Sequence, residues 1–202
     1  MSRIKQHLAF TFAIPLAIAT VTSTLATAQG AMNVAPSSHA TTEITLTLVD
    51  SAARAASKPS MIRIDYGQPH LRGRKLLTDS LVPYDKAWRL GANGATMLTT
   101  DVDLLIGGMS VPKGKYVLQA MPSRTGWKLL VEKDVGQSPM AAAMNYDPAN
   151  DVARVELRAT NTSTALESLS IWLIPARGPG APHGELRIAW GTVALATDWT
   201  MK

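Results

Sequence analysis

Residues 66–96 read YGQPHLRGRKLLTDSLVPYDKAWRLGANGAT, and the rest of the chain is arranged around them. Prolines and glycines recur throughout this stretch, among them Pro69, Gly73, Pro83, Gly91 and Gly94. Proline fixes φ and glycine permits positive φ, so this density predicts special backbone angles. We therefore predict an ordered loop system that leads into a β-strand, rather than a flexible linker.

Short segments with alternating apolar residues lie on both sides of this loop. Residues 42–50 and 61–66 place apolar and polar side chains on opposite faces, which is the period of a half-buried strand. The second of these strands is predicted to end at Tyr66, because Gly67 and Pro69 interrupt a hydrogen-bonded ladder. Downstream, the same alternation recurs at 152–159 and 169–173 and in two further strands at 186–190 and 192–196.

Turns and two short helical segments separate these strands. Gly107-Gly108 lies between two apolar triplets and predicts a two-residue hairpin turn, since two adjacent glycines accept the positive φ angles it needs. An Ala-rich break at 51–60 is compatible with one helical turn, and 138–145 is the main helix candidate.

Together these patterns predict an all-β fold, a single sandwich or barrel-like domain of about nine short antiparallel strands. No strand–helix–strand unit of the length that a parallel sheet requires is visible. The domain is predicted to cover residues 42–202, after a flexible leader at 29–41.

The first 28 residues have the composition of a cleaved signal peptide. Arg3 and Lys5 precede an apolar run from Leu8 to Val21, and Ala26-Thr27-Ala28 is a small-residue cleavage site. The alternative is a membrane anchor, but the apolar run is shorter than the roughly 20 residues that a spanning helix needs. We expect a periplasmic or extracellular protein with no membrane span after cleavage.

Composition narrows the classes of function. The chain has no cysteine, which excludes disulfides, thiolate metal sites and a lipid-modified cysteine. The formal net charge is +5, but basic residues are scattered among acids and aromatic residues are only 5%. Nucleic-acid binders usually cluster basic residues beside stacking aromatics, so we expect no nucleic-acid partner.

Recognisable catalytic motifs are missing from the sequence. The histidines beyond the signal peptide, His39, His70 and His183, are isolated from one another, so no metal site and no cofactor is predicted. No Gly-x-Ser-x-Gly elbow occurs. The aspartates around the central stretch show no pairing that would identify a glycosidase.

The strongest polar group in the central stretch consists of Arg72, Arg74, Arg89 and Asn93, with Asp85 nearby in sequence. Guanidinium groups suit bidentate contacts to carboxylate or phosphate, which makes these residues candidates for a ligand site. The alternative is structural: Arg89 and Arg74 pair with Asp65 or Asp85, Asn93 hydrogen-bonds the loop backbone, and Trp88 is core.

The same residues carry a family resemblance. The chain is similar to a bacterial secreted-protein family known as domain of unknown function 2911, most clearly at Tyr66, Pro69, Gly73-Arg74, Leu81-Val82-Pro83-Tyr84, Trp88-Arg89, Gly91-Ala92-Asn93, Ala95-Thr96 and Gly114-Lys115-Tyr116. The resemblance implies a β-rich domain and no established chemistry. It also implies Glu at the position of Gly94 and Arg and Ser around Pro69, where this chain has Gln68 and His70.

Three functions remain open from the sequence. The first is an exported binding domain for an anionic or carbohydrate-like ligand of the cell envelope, a small molecule, glycan or envelope protein. The second is a hydrolase in which Asp85 or Asp65 acts as general base and Arg89 stabilises the transition state. The third is a purely structural envelope protein.

Overall fold

A computed structural model describes residues 32–202, so the predicted signal peptide and the first residues of the predicted leader lie outside it. The described chain contains nine strands and two short α-helices. The strands are β1 Ser37–Leu46, β2 Ser60–Pro69, β3 Thr96–Thr100, β4 Leu104–Ile106, β5 Met109–Val111, β6 Gly114–Pro122, β7 Trp127–Lys133, β8 Asp151–Pro175 and β9 His183–Met201. The helices are α1 Ser51–Ala56 and α2 Pro139–Met144, and a 3₁₀ turn follows at Pro148–Asn150.

All nine strands join one antiparallel sheet in the order β1-β2-β3-β6-β7-β8-β9-β4-β5. The first part of β8 pairs with β7, and from Arg158 onward β8 pairs with β9. Two register shifts beyond Asn161 bend this 25-residue strand. Bulges of this kind bend a strand and increase its twist, and here they let one sheet fold over itself. The all-β antiparallel prediction is confirmed.

The curled sheet encloses one apolar core. Ile62 and Ile64 of β2 line the same small internal cavity as Leu186 and Trp199 of β9, although the two strands are far apart in the sheet order. Strands β8 and β1 also meet across the core, through a hydrogen bond that the Leu173 N–H donates to Thr42 Oγ1 at 3.2 Å. The alternation of apolar and polar side chains predicted for β2 is present in the structure, since Ile62, Ile64 and Tyr66 are all buried.

The first two strands differ from their predicted bounds. β1 begins at Ser37, five residues before the predicted start at Thr42, and it ends at Leu46. β2 continues to Pro69, so the predicted end at Tyr66 is wrong. The reason is that β3 pairs with β2 only at 62–65, whereas 67–69 pair with β1 alone. One side of this part of β2 therefore carries no ladder, and proline is tolerated there.

Two pairs of predicted strands are each one continuous strand. Segments 152–159 and 169–173 both belong to β8, and 186–190 and 192–196 both belong to β9. The alternation breaks at the β8 register shifts and at Gly191, which has a φ of 59°. A bulge shifts which face each side chain occupies, so a continuous strand looks like two in the sequence.

The short elements between strands agree with the predictions. Asp50 caps α1 by accepting a hydrogen bond from the Ala53 N–H, and Ser138 caps α2 by accepting one from the Ala141 N–H. Gly107-Gly108 forms the turn of the β4–β5 hairpin. Within residues 32–202, no helix combines the length and hydrophobicity needed to cross a membrane.

Candidate functional site

The central loop holds all the unusual backbone angles of non-glycine residues within 32–202. Positive φ occurs at Arg72, Asp85, Leu90 and Asn93, with values of 49°, 57°, 50° and 64°. Such angles are uncommon for side chains other than Asn and Asp, and for bulky residues they cost energy. Leu90 tolerates its angle because its side chain is completely buried. The predicted ordered loop is therefore present, with special angles at four residues that are not glycine.

Backbone hydrogen bonds fix this loop to the sheet. Trp88 and Ala120 exchange two of them, at 2.7 and 2.8 Å, and the Leu71 N–H donates to the Glu167 carbonyl at 2.8 Å. The Trp88 ring stacks on Trp190 of β9, with ring centres 5.8 Å apart. Trp88 is 8% exposed, which agrees with the expectation that it belongs to the core.

Arg72 and Arg74 both donate hydrogen bonds to backbone carbonyl groups. Arg74 donates from Nε to the Leu71 carbonyl at 2.9 Å and from Nη2 to the His70 carbonyl at 2.7 Å. Arg72 donates from Nη2 to the Ala35 carbonyl at 3.0 Å. Arg74 thus stabilises the turn through its carbonyl groups, whereas Arg72 binds the segment that precedes β1. Within residues 32–202, Arg74 does not form the predicted ion pair with Asp65 or Asp85.

Arg89 and Asp85 do not meet. The Arg89 Nη1 lies 3.5 Å from the Met144 sulfur in α2, and within residues 32–202 no carboxylate forms an ion pair with it. Asp85 is exposed, and its backbone N–H donates to the Pro122 carbonyl at 2.7 Å. Among the described residues, no hydrogen bond or ion pair therefore supports a unit formed by these two side chains.

Asn93, one of the predicted ligand-binding residues, lines a cleft of about 270 Å³. The cleft lies between the β1–β2 pair, the loop at 92–95 and the start of α2. Its walls include Ser38 and His39 from β1, Asp65 and Gly67 from β2, and Pro139 from α2. The structure therefore separates Asn93 from Arg72 and Arg74 and joins it to residues of the first two strands.

Gly67 explains why the cleft lies here. A Cβ on Gly67 would be 1.9 Å from the Ala92 carbonyl oxygen, a distance that no real side chain could adopt. The absent side chain lets the loop lie against β2, where the Ala92 N–H donates to the Gly67 carbonyl at 3.0 Å. Glycine within a strand commonly marks such a close approach of backbone to backbone.

Asp65 supplies the charged side chain of the cleft. Arg63 donates to its two oxygens from Nε and Nη2, each at 2.7 Å, and the Thr41 hydroxyl donates at 2.7 Å. His39 Nε2 lies 3.4 Å from Oδ1. The hydrogen bonds from Arg63 are the largest influence on the pKa of Asp65 and lower it to about 2, helped by the hydrogen bond from Thr41 and only partly opposed by burial, which raises it. This carboxylate is consequently a fixed acceptor with its charge largely balanced.

Two side chains, His39 and Glu132, have structural surroundings that no pattern in the sequence indicates. His39 was placed in a flexible leader, because 37–41 lack the apolar alternation of a strand with a buried face. Glu132 was not considered at all, because a single acid in an apolar strand carries no motif. Glu132 is only 4% exposed and its Oε1 has no hydrogen-bond partner, which is unusual for a buried acid.

Residues 50–198 match a family model described as "Protein of unknown function (DUF2911)". The chain belongs to this family. The match covers most of the chain and includes the central loop, Gly67, Asn93 and Glu132, and it confirms the predicted resemblance. No curated protein and no solved structure matches the chain.

Gly94 is the position where the resemblance to the DUF2911 family led us to expect Glu. A Cβ on Gly94 would lie 3.1 Å from the Cβ of Pro139, which is tighter than most real contacts. In this chain the glycine lets α2 pack close to the loop, where the Ala95 N–H donates to the Pro139 carbonyl at 2.9 Å. A larger residue here would require the start of α2 to move outward.

Proposed function

We propose that this protein is an exported binding domain whose cleft at Asn93 holds one neutral, carbohydrate-like unit of a cell-envelope ligand. The observation that carries the proposal is the cleft of about 270 Å³ between β1, β2 and the 92–95 loop. Pockets for drug-sized ligands span roughly 300–1,000 Å³, so a slightly smaller cleft suits a single sugar ring. Asn93, His39 and Ser38 supply side chains that both donate and accept hydrogen bonds, as hydroxyl groups require.

Charge favours a neutral ligand over an anionic one. No Lys or Arg is among the described residues that line the cleft, and the Asp65 carboxylate in its wall is already paired with Arg63, so a carboxylate or phosphate would find no free guanidinium or ammonium group there. Arg72 and Arg74, which suggested an anionic ligand, donate to backbone carbonyls and do not border this cleft. Of the two ligand classes predicted from the sequence, anionic and carbohydrate-like, the carbohydrate-like one therefore has the better support.

The hydrolase alternative has weaker support. Asp65 has a pKa of about 2, and a general base works best when its pKa lies near the working pH. Asp85 is exposed and has no contact with Arg89. A purely structural protein would need no concave site, so the cleft also favours binding over that alternative.

The expected compartment suits this proposal. A cleaved signal peptide would place the domain in the periplasm or outside the cell, where envelope glycans occur. The proposed partner is therefore a glycan or a small molecule derived from one, and nucleic acid is not among the expected ligands.

The first test is a titration of the purified protein with neutral oligosaccharides and with matched uronic acids. Amide chemical shifts of Gly67, Ala92 and Ala95 report directly on the cleft. Neutral sugars are expected to move these signals more strongly than the acids do. Asn93→Gly keeps the positive φ and removes only the amide side chain, so we expect about tenfold weaker binding, the value of roughly one hydrogen bond.

Asp85→Gly is the matched control, because Asp85 is also exposed with positive φ but lies outside the cleft. Its binding should equal that of the wild type. Shifts that map to another surface, or Asn93→Gly binding as tightly as the wild type, would remove the cleft from the proposal. A preference for uronic acids would restore the anionic interpretation.

A further inference from the structure

Residues 134–150, which we call the strap, cross the outer face of the sheet between β7 and β8. The strap contains α2 and the 3₁₀ turn. Ala142 and Ala143 of the strap are buried, and Gln119 of β6 donates from Nε2 to the Ala142 carbonyl at 3.2 Å. Leu129 and Val131 of β7 belong to the main core, whereas Leu130 and Glu132 lie on the face that the strap covers.

Two carboxyl groups are buried beneath the strap. Glu132 of β7 is 4% exposed, and its cross-strand partner is Asp151 of β8, whose side chain is 9% exposed. A register shift at Val131/Glu132 brings these two residues opposite each other. Glu132 Oε1 and Asp151 Oδ1 are both buried without a hydrogen-bond partner within the described chain.

The end of the strap lies against both carboxyl groups. The backbone of Asp147 lies near the Glu132 carboxyl group, where it acts to lower the pKa of Glu132 against the larger effect of burial. The Tyr146 hydroxyl donates to Asp151 Oδ2 at 2.8 Å, and Arg154 Nε donates to the same oxygen. The docked strap therefore forms part of the surroundings that determine whether Glu132 carries a charge.

Negative charge dominates the surroundings of Glu132. Asp134, Tyr146 and Asp147 face it from the strap, and Asp151 and Arg154 face it from β8, with Arg154 engaged by Asp151. Lys133 is its neighbour on β7, while the nearby residues of β6, Val117 and Gln119, carry no charge. Burial, and then the Asp151 and Asp147 carboxylates, raise the pKa of Glu132 to about 7.

This group of acids does not have the geometry of a metal site. Within residues 32–202, no three His, Asp or Glu side chains are placed to hold a metal ion together. The cavity beside Glu132 is about 10 Å³, which is room for about one water molecule. In the described part of the chain, the two acids are therefore buried close to each other without a cation shared between them.

We propose that the strap is a proton-dependent latch, closed when the buried Glu132 carries a proton and loosened when that proton leaves. A proton on Glu132 removes one of the two carboxylate charges that are buried beneath the strap. Loss of the proton leaves two like charges in a desolvated site, which is strongly unfavourable. The strap can relieve this by moving away and admitting water.

The direction of the pH dependence follows from linkage. Glu132 has a pKa of about 7 beneath the docked strap, compared with 4.5 for an ordinary Glu. The docked state therefore binds more protons, and docking weakens as pH rises through the window from 4.5 to 7, by up to about tenfold for each pH unit. Above this window the dependence on Glu132 ends.

The latch also reaches the cleft, because Pro139 of the strap forms part of the cleft wall. The Ala95 N–H donates to the Pro139 carbonyl, which ties the 92–95 loop to the strap. Loosening the strap would therefore open the cleft from one side. The latch itself does not depend on whether the cleft binds a ligand, and its test requires no ligand.

The test is hydrogen exchange of the strap amides Ala142 and Asn145, which donate to the Ser138 and Ala141 carbonyls. Protection factors corrected for intrinsic exchange are compared at about pH 5 and about pH 7.5. In the wild type they should fall at least tenfold with rising pH. Glu132→Gln, which keeps the shape and a hydrogen-bond donor without a titratable proton, should show the same protection at both pH values.

Glu156→Gln provides the matched control, since Glu156 lies on β8 with its side chain 74% exposed and forms an ion pair with Lys128. This variant should keep the pH dependence of the wild type. Equal protection at both pH values in the wild type, or an unchanged pH dependence in Glu132→Gln, would overturn the latch.

A second measurement uses the wild-type protein alone. A carbon-13 NMR titration of the Glu132 carboxyl group should give a midpoint well above 4.5, and the strap amide shifts should move with the same midpoint. A Glu132 midpoint near 4.5, or strap shifts that follow a different midpoint, would also refute the proposal.

Discussion

At the scale of single residues, missing side chains control how closely two parts of the backbone approach. Gly67 admits the 92–95 loop to β2, and Gly94 admits α2 to that loop. Both contacts are needed to build the cleft, since Ala92, Gly94 and Pro139 all line it. Asn93 completes the loop because its φ of 64° is one that Asn adopts more readily than most residues.

Gly67→Ala should therefore be costly. Its Cβ would collide with the Ala92 carbonyl oxygen, which is backbone and can move only if the whole loop moves. We expect a loss of about 1–3 kcal/mol in the free energy of unfolding, measured by urea denaturation, together with displaced amide signals in 92–95. Gly126→Ala is the control, because a Cβ there meets no atom within 4 Å, and it should change stability by less than about 0.5 kcal/mol. Equal stability of the two variants would contradict this account of the cleft.

At the scale of elements, the turn of the β4–β5 hairpin shows two separate requirements. Its backbone angles limit which residue types are favourable, and the side chains packed around it limit their size. Gly107 and Gly108 have φ values of 55° and 81°, as a tight hairpin turn requires. Considered by itself, an Asn-Gly turn would be at least as favourable as Gly-Gly. The two positions differ in their surroundings, because a Cβ at Gly107 would lie 2.3 Å from Val155 Cγ1, whereas a Cβ at Gly108 meets nothing within 4 Å.

Two asparagine substitutions distinguish these effects. Gly108→Asn should change the free energy of unfolding by less than about 1 kcal/mol, since Asn accepts positive φ and the site is open. Gly107→Asn should lose about 1–3 kcal/mol, because its side chain would overlap Val155 in the core. Thermal and urea unfolding of both variants provide the measurement. A tolerated Gly107→Asn would mean that Val155 repacks more easily than the structure implies.

At the scale of the whole molecule, the first strand joins distant parts of the fold. β1 pairs with β2 along its length, and Thr42 also accepts a hydrogen bond from Leu173 of β8. Residues 37–41 contribute five of the β1–β2 pairs and the hydrogen bond from Thr41 to Asp65. They are therefore part of the domain, although the sequence analysis assigned them to the leader.

A comparison of two shortened chains tests this boundary. A chain that begins at Met32 keeps the whole of β1, whereas one that begins at Thr42 loses residues 37–41 and the carbonyl of Ala35 that Arg72 binds. Each lost hydrogen bond is worth about 1 kcal/mol, so the shorter chain should be at least about 2 kcal/mol less stable and should melt roughly 4–8 °C lower. Calorimetry provides the measurement, and equal melting temperatures would return the boundary to Thr42.

The sequence predicted the features that depend on neighbours along the chain. Alternation of apolar residues identified most strands, Gly107-Gly108 identified a turn, and Ser138 with the alanines after it identified α2. The bounds of strands were predicted less accurately where pairing with another strand decides them. β2 passes through Gly67 and Pro69 because only β1 pairs with it there, and β8 continues through shifts of register that break its pattern.

The candidate site likewise has a part that the sequence predicted and a part that it did not. The sequence located an ordered loop with special angles, and it pointed to Asn93, but it grouped Asn93 with arginines whose side chains have their partners elsewhere. His39 and Asp65 join Asn93 only because β1, β2 and the loop meet in space. Glu132 acquires a raised pKa only because the strap buries it beside Asp151.

By itself, then, the sequence determined an all-β chain with a rigid glycine- and proline-rich loop, because strand period and backbone angles are local properties of a few adjacent residues. Only the tertiary structure decided which polar side chains share a cleft and which acid is deprived of water. Those properties depend on burial and on distances between residues far apart in the chain, such as the close approach of Ala92 to Gly67 in the cleft and of the strap to Glu132.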